Sequence, residues 1–81
     1  MTPQTWRAVV IKLKLSPQQR LIVESILRGN QDKQIAGELG LSVATVRTYL
    51  TRIFERTGVR DRLNLVLRIF AMAQKLASEE K

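Results

Sequence analysis

The sequence predicts an all-α fold: a four-helix bundle with a central helix-turn-helix, preceded by an N-terminal extension whose structure the pattern leaves open. Apolar residues from Ser16 onward recur three and four positions apart, the period of helices buried along one side. Start signals at Ser16-Pro17, Asp32, Ser42 and Asp61 alternate with glycine stops at Gly29, Gly40 and Gly58. Ala36, Gly40 and Val46 then supply what a steep helix crossing needs. These are a small residue where the helices touch, a positive-φ residue to start the turn, and a β-branched plug in the angle.

Residues 1–14 form the extension. Ile11-Lys12-Leu13-Lys14-Leu15 alternates apolar and basic like a half-buried strand, whereas Trp6, Val9, Val10 and Leu13 share one face of a helix. Both readings stand. Ser16 is a good N-cap and Pro17 an ideal first helical residue. Leu21, Ile22, Ser25 and Ile26 follow at helical spacing until Gly29. After a loop at Asn30-Gln31, Asp32 is the expected cap of a second helix at about Lys33–Leu39, burying Ile35, Ala36 and Leu39. Gly37 lies inside it at a cost of about 1 kcal/mol against alanine.

Ser42 caps a third helix, Val43–Thr57, with Val46, Leu50, Ile53 and Phe54 as its inward stripe. Asp61 caps a fourth running to about Leu76. The expected organisation is an extension at 1–14, one domain at 15–77 and a charged tail at 78–81.

Composition narrows the function. The chain of 81 residues has no cysteine and no histidine, so the commonest general base and the commonest metal ligands are missing. Its seven carboxylates form no convincing pair, and no enzyme activity, metal, cofactor or small-molecule ligand is expected. The net charge of +7, with nine arginines among fourteen cations, points to an anionic partner. No apolar run suits a membrane span and no signal-peptide pattern is present, so a cytoplasmic setting is expected.

On a helical wheel the third helix turns Ala44, Thr48, Thr51 and Arg52 away from its apolar stripe, with Arg47 at one margin and Thr45 and Arg56 at the other. Arginine grips guanine with two bonds, and threonine offers a hydroxyl and a methyl to base edges. The expected base-reading set is Ala44, Arg47, Thr48, Thr51 and Arg52 in a major groove. Lys33, Thr45, Tyr49, Arg56 and Arg60 are the expected phosphate contacts, although Tyr49 fits a core position equally well. Glu55 opposes this reading unless Arg52 or Arg56 neutralises it.

Leu15–Leu67 resembles the LuxR/FixJ/GerE family of four-helix DNA-binding domains. The matching strings are Leu15-Ser16-Pro17, Gly29, Asp32-Lys33-Gln34-Ile35-Ala36, Leu39, Leu41-Ser42, Thr45-Val46-Arg47, Ile53, Gly58-Val59 and Arg62. The resemblance implies a bacterial transcription regulator whose third helix reads double-stranded DNA. It places Arg47, Thr48 and Thr51 on bases and Lys33, Thr45 and Tyr49 on the backbone. It also implies a homodimer formed through the fourth helix. Gln19 departs from the family's usual acidic residue there, so a different anchoring of the first helix is expected; Arg47 and Tyr49 stand where lysine and histidine are commoner. The family joins this module to a receiver or sensor domain, so the chain resembles stand-alone members or an excised fragment.

The fourth helix carries two apolar stripes about a third of a turn apart. Leu63, Val66, Leu67, Phe70 and Ala73 form one, and Leu65, Ile69, Met72 and Leu76 the other. One stripe must pack within the domain, and the second must be covered from elsewhere. Leu65, Ile69, Met72 and Leu76 are the expected dimer interface, the alternative being that residues 6–15 fold back over them. Two other functions fit the pattern. Leu15–Arg56 is similar to the promoter-binding end of sigma factors, which implies RNA polymerase as partner. A small interaction protein pairing with a larger family member through helix 61–77 is the other.

Overall fold

The computed structural model describes residues 1–79, which form five helices and, among the described residues, no strand. They are α1 (Pro3–Leu13), α2 (Pro17–Leu27), α3 (Asp32–Leu39), α4 (Val43–Thr57) and α5 (Arg62–Glu79). The extension is therefore helical for most of its length. Thr2 caps it, its Oγ1 accepting the Thr5 N–H at 3.1 Å. The helical face wins over strand alternation because it has a long partner: α1 packs chiefly along α5 and buries Val9 completely. Trp6 completes the anchoring by donating its Nε1–H to Glu24 Oε2 on α2 at 2.7 Å. The expected tail at 78–81 begins inside α5, and residues 80–81 lie outside the described residues.

All four joints use one device. The residue after each of the first four helices, or the one following it, is left-handed: Lys14 (φ 55°), Gly29 (86°), Gly40 (68°) and Gly58 (74°). The next amide in each case bonds five residues back: Leu15 to Val10, Asn30 to Ser25, Leu41 to Ala36 and Val59 to Phe54, at 2.9–3.2 Å. This satisfies carbonyls that a helix end leaves orphaned. Glycine suits three of the sites, while Lys14 holds the same shape with a side chain.

Ser16 and Gln19 close α2 reciprocally, the Gln19 N–H donating to Ser16 Oγ and the Ser16 N–H to Gln19 Oε1. The neutral amide at position 19 is thus a capping group. Asp61 starts α5 by accepting the Asn64 N–H at 2.8 Å. At α3 the expectation shifts by one residue: Gln31 occupies the cap, its N–H donating to Gln34 Oε1 at 2.7 Å, and Asp32 is the first helical residue.

The core is a single cluster. It joins Ile22, Val23 and Ile26 of α2, Ile35 and Ala36 of α3, Val46, Leu50 and Ile53 of α4, and Leu65, Ile69 and Ala73 of α5 to Val9. Burial here corrects the expected dimer surface. Leu65 and Ile69 are completely buried within the protomer, and Met72 and Leu76 are half-buried against the core. Leu65 and Ile69 therefore have no surface to offer a second chain, and Met72 and Leu76 offer only part of theirs. The stripe left outside is the other one, where Leu63, Leu67 and Phe70 are 68%, 57% and 48% exposed.

Gly37 is exposed, helical and free of any neighbour within 4 Å of an added Cβ. Gly37→Ala should therefore raise stability by about 1 kcal/mol. A thermal melt followed by circular dichroism should show a midpoint higher by about 4–8 °C.

Candidate nucleic-acid interface

The angle between α3 and α4 is set at the turn Gly40-Leu41-Ser42. Gly40 reverses the chain, and Leu41 N–H bonds back to the Ala36 carbonyl at 2.9 Å. Ser42 then opens α4, its Oγ accepting the Thr45 N–H at 3.0 Å. Val46 sits completely buried beneath the turn with Ile35 and Ala36. The expected roles of Ala36, Gly40 and Val46 hold in the structure.

With Val46, Leu50, Ile53 and Thr57 buried, the opposite side of α4 is fixed outward. Ala44, Arg47, Thr48, Thr51 and Arg52 are all exposed on it. Thr48 donates its hydroxyl to the Ala44 carbonyl and Thr51 to the Arg47 carbonyl, both at 3.1 Å. Each hydroxyl oxygen keeps lone pairs to accept from a base amine, and each methyl lies beside it. Arg47 is the most tethered of the set, with Nε 3.4 Å from Asp32 Oδ2.

The flanking residues divide. Lys33 and Arg60 are exposed and, among the described residues, make no ion pair. Thr45 is half-buried, its Oγ1 accepting from Ser42 Oγ at 2.9 Å. Tyr49 is half-buried and packs on the core, so it serves the helix junction whatever its hydroxyl reaches. Arg56 is exposed but donates to the Lys14 carbonyl at 3.1 Å, clasping the last turn of α4 to the joint before α2. Glu55 is exposed toward the end of α4 and has no ion pair among the described residues. Its carboxylate leaves the first three turns of α4, through Arg52, as the part suited to close approach by a polyanion.

Two charged residues carry more than the sequence indicated. Arg62, the first residue of α5, donates through Nη1 to the Asn30 carbonyl at 3.0 Å and pairs through Nη2 with Asp32 Oδ1. Asp32 thus accepts from Arg62 on one oxygen and from Arg47 on the other. Its helix-start position signalled a cap, and only the tertiary arrangement brings two arginines 15 and 30 residues away onto it. Among the described residues no group of acidic side chains could hold a metal ion, and no helix is long and apolar enough to cross a membrane.

Residues 13–69 match the family described as "Bacterial regulatory proteins, luxR family". The probable HTH-type transcriptional regulator GfsR of Streptomyces halstedii is 43% identical over 56 residues, covering 69% of this chain and 23% of that protein. Response regulator Rre1 of Synechocystis is 36% identical over 56 residues, covering 69% and 24%. The probable transcriptional regulatory protein NarL of Mycobacterium tuberculosis is 36% identical over 70 residues, covering 86% and 32%. The chain spans about a quarter to a third of the length of these relatives. No solved structure matches it. The matched segment contains α2, α3, α4 and the start of α5, hence the whole helix-turn-helix and its outward face, and the chain belongs to the luxR family of bacterial regulatory proteins, whose relatives here are transcriptional regulators.

Proposed function

We propose that the domain is a sequence-specific double-stranded DNA-binding module of a transcription regulator, acting as a homodimer with the first three turns of α4, through Arg52, in the major groove. The observation that carries this reading is the outward face of α4. Ala44, Arg47, Thr48, Thr51 and Arg52 are small or hydrogen-bonding, exposed, and fixed in rotation by a buried stripe directly opposite. Lys33 at the start of α3 and Arg60 after α4 flank that face and suit phosphates on either side.

The dimer is assigned to the exposed stripe of α5. Leu63, Leu67 and Phe70 repeat at four and three residues, so they form one apolar strip. A two-fold contact through such a strip is self-complementary and sets two α4 helices for half-sites about one DNA turn apart. The family match continues past α4 into α5 as far as residue 69, which weighs against the sigma-factor reading and RNA polymerase as the obligatory partner. Pairing with a larger family member would use the same strip.

Selection of sites from a randomised duplex pool at physiological salt tests the reading. An enriched inverted repeat with half-sites about one turn apart is the expected result. Tight low-salt binding without enrichment would overturn sequence reading.

On the enriched site, Thr48→Ala and Arg52→Ala should each lower the preference over random duplex, by about 1–3 kcal/mol where a base contact is lost. Lys33→Ala should instead weaken all duplexes alike and reduce the salt slope by about one. Filter binding across a salt series separates the two classes; uniform losses from all three variants would undo the assignment.

The α5 face is checked by a pair of charges. Leu67→Asp should give a monomer by sedimentation that keeps its helical content and melts at a midpoint independent of protein concentration. Ile69→Asp, at a completely buried position, should lower stability by several kcal/mol because a lone charge cannot be buried unpaired. A dimer surviving Leu67→Asp and Phe70→Asp together would move the interface elsewhere.

A further inference from the structure

We propose that Asp32 is a positioning residue for base reading: its carboxylate holds Arg47 by Nε and so presents the terminal fork of that guanidinium to a guanine edge. The proposal rests on the DNA-reading function above and adds a residue outside the recognition helix that tunes specificity. Arg47 is 71% exposed at its side chain, and a free arginine at such a position samples many rotamers. Asp32 Oδ2 contacts Nε at 3.4 Å, leaving the two terminal nitrogens without a partner among the described residues. Those two donors suffice for an end-on bidentate bond to guanine O6 and N7.

Asp32 can hold Arg47 because it is itself held. It is the first residue of α3, its side chain is only 26% exposed, and its other oxygen pairs with Arg62. Arg62 is fixed in turn by the Asn30 carbonyl at 3.0 Å and Gln31 Oε1 at 3.4 Å. The chain of contacts runs from the α2–α3 loop and the start of α5, through Asp32, to the reading face of α4. An exposed pair of this kind adds little to stability, so its effect falls on orientation and on charge.

The charge works in the same direction. A carboxylate beside Arg47 offsets that arginine's attraction to any phosphate, which lowers sequence-independent binding. Guanine offers Arg47 a directional acceptor pair that leaves Nε with Asp32, whereas a phosphate that draws the whole guanidinium away must break the pair. Non-cognate duplex is thereby penalised more than the cognate site.

The test measures binding to the selected site and to random duplex for four proteins: unsubstituted, Asp32→Asn, Arg47→Ala and the double variant. Asp32→Asn keeps the size of the side chain and an acceptor for Arg62 while removing the charge. It should bind random duplex about 3- to 10-fold more tightly and reduce the selected-to-random ratio about 10-fold. In the Arg47→Ala background the same change should leave the ratio unaltered. A merely structural role would weaken binding to both duplexes, and a melt of each variant reads that directly. A ratio that Asp32→Asn leaves unmoved, or lowers equally without Arg47, would overturn the positioning role alone. Failure of the unsubstituted protein to enrich any site would overturn DNA reading, and Asp32's role with it.

Discussion

Val46, Leu50 and Ile53 on α4 give up all or nearly all of their solvent contact to a cluster shared with Ile22, Val23, Ile26 and Ile35. Each such side chain stabilises the folded state by about 1.5–3 kcal/mol when buried. Rotating α4 far enough to hide Thr48 or Arg52 would expose all three. The cost, about 5–9 kcal/mol, is comparable with the whole stability of a typical small domain. The outward set on α4 is therefore determined by the inward one. Capping by Ser42, the reversal at Gly40 and the bond from Leu41 to Ala36 then decide where along α3 that rigid face projects.

What the sequence revealed follows from how local the determining forces are. The bounds of helix α4 were legible because its cap, its stop glycine and its apolar period all lie within the segment they define, although Thr57 is buried where Phe54 was expected to be. The crossing of α3 and α4 was legible because Ala36, Gly40 and Val46 sit within one short stretch. Helix α1 was not. Its residues satisfy two periods at once, and the choice is made by packing against α5, about fifty positions away or more. For the same reason the stripes of α5 were visible as stripes while their directions were not. Periodicity gives the angle between two faces of a helix, and only the partner says which face turns inward.

The ionic contacts are of the same kind. Asp32 carries the local signature of a helix cap, and its use by Arg62 and Arg47 emerges only when three elements meet. Basic residues elsewhere show how uneven a net charge of +7 is in practice. Arg28 is paired with Glu38, Arg20 lies 3.6 Å from Glu24, and Arg62 is engaged by Asp32, so their charge is locally offset. Lys33, Arg52 and Arg60 have no such partner among the described residues, and they border or stand on the outward face of α4. Their uncompensated charge lies beside the side chains suited to reading a polyanion, where it adds to the attraction that brings one in.

The four left-handed joints bear on how the chain reaches this state. Each connects its helices within a few residues, and the bond from the next amide back across the helix end forms without waiting for distant contacts. Closing loops so short costs little entropy, and helical domains dominated by near-neighbour contacts fold within microseconds to milliseconds. The one slow requirement is the return of α1 to α5, which spans most of the chain. The contact between α1 and α5 thus carries the largest loop-closure cost of the packed helix pairs, and it is the one that brings Val9 into the core.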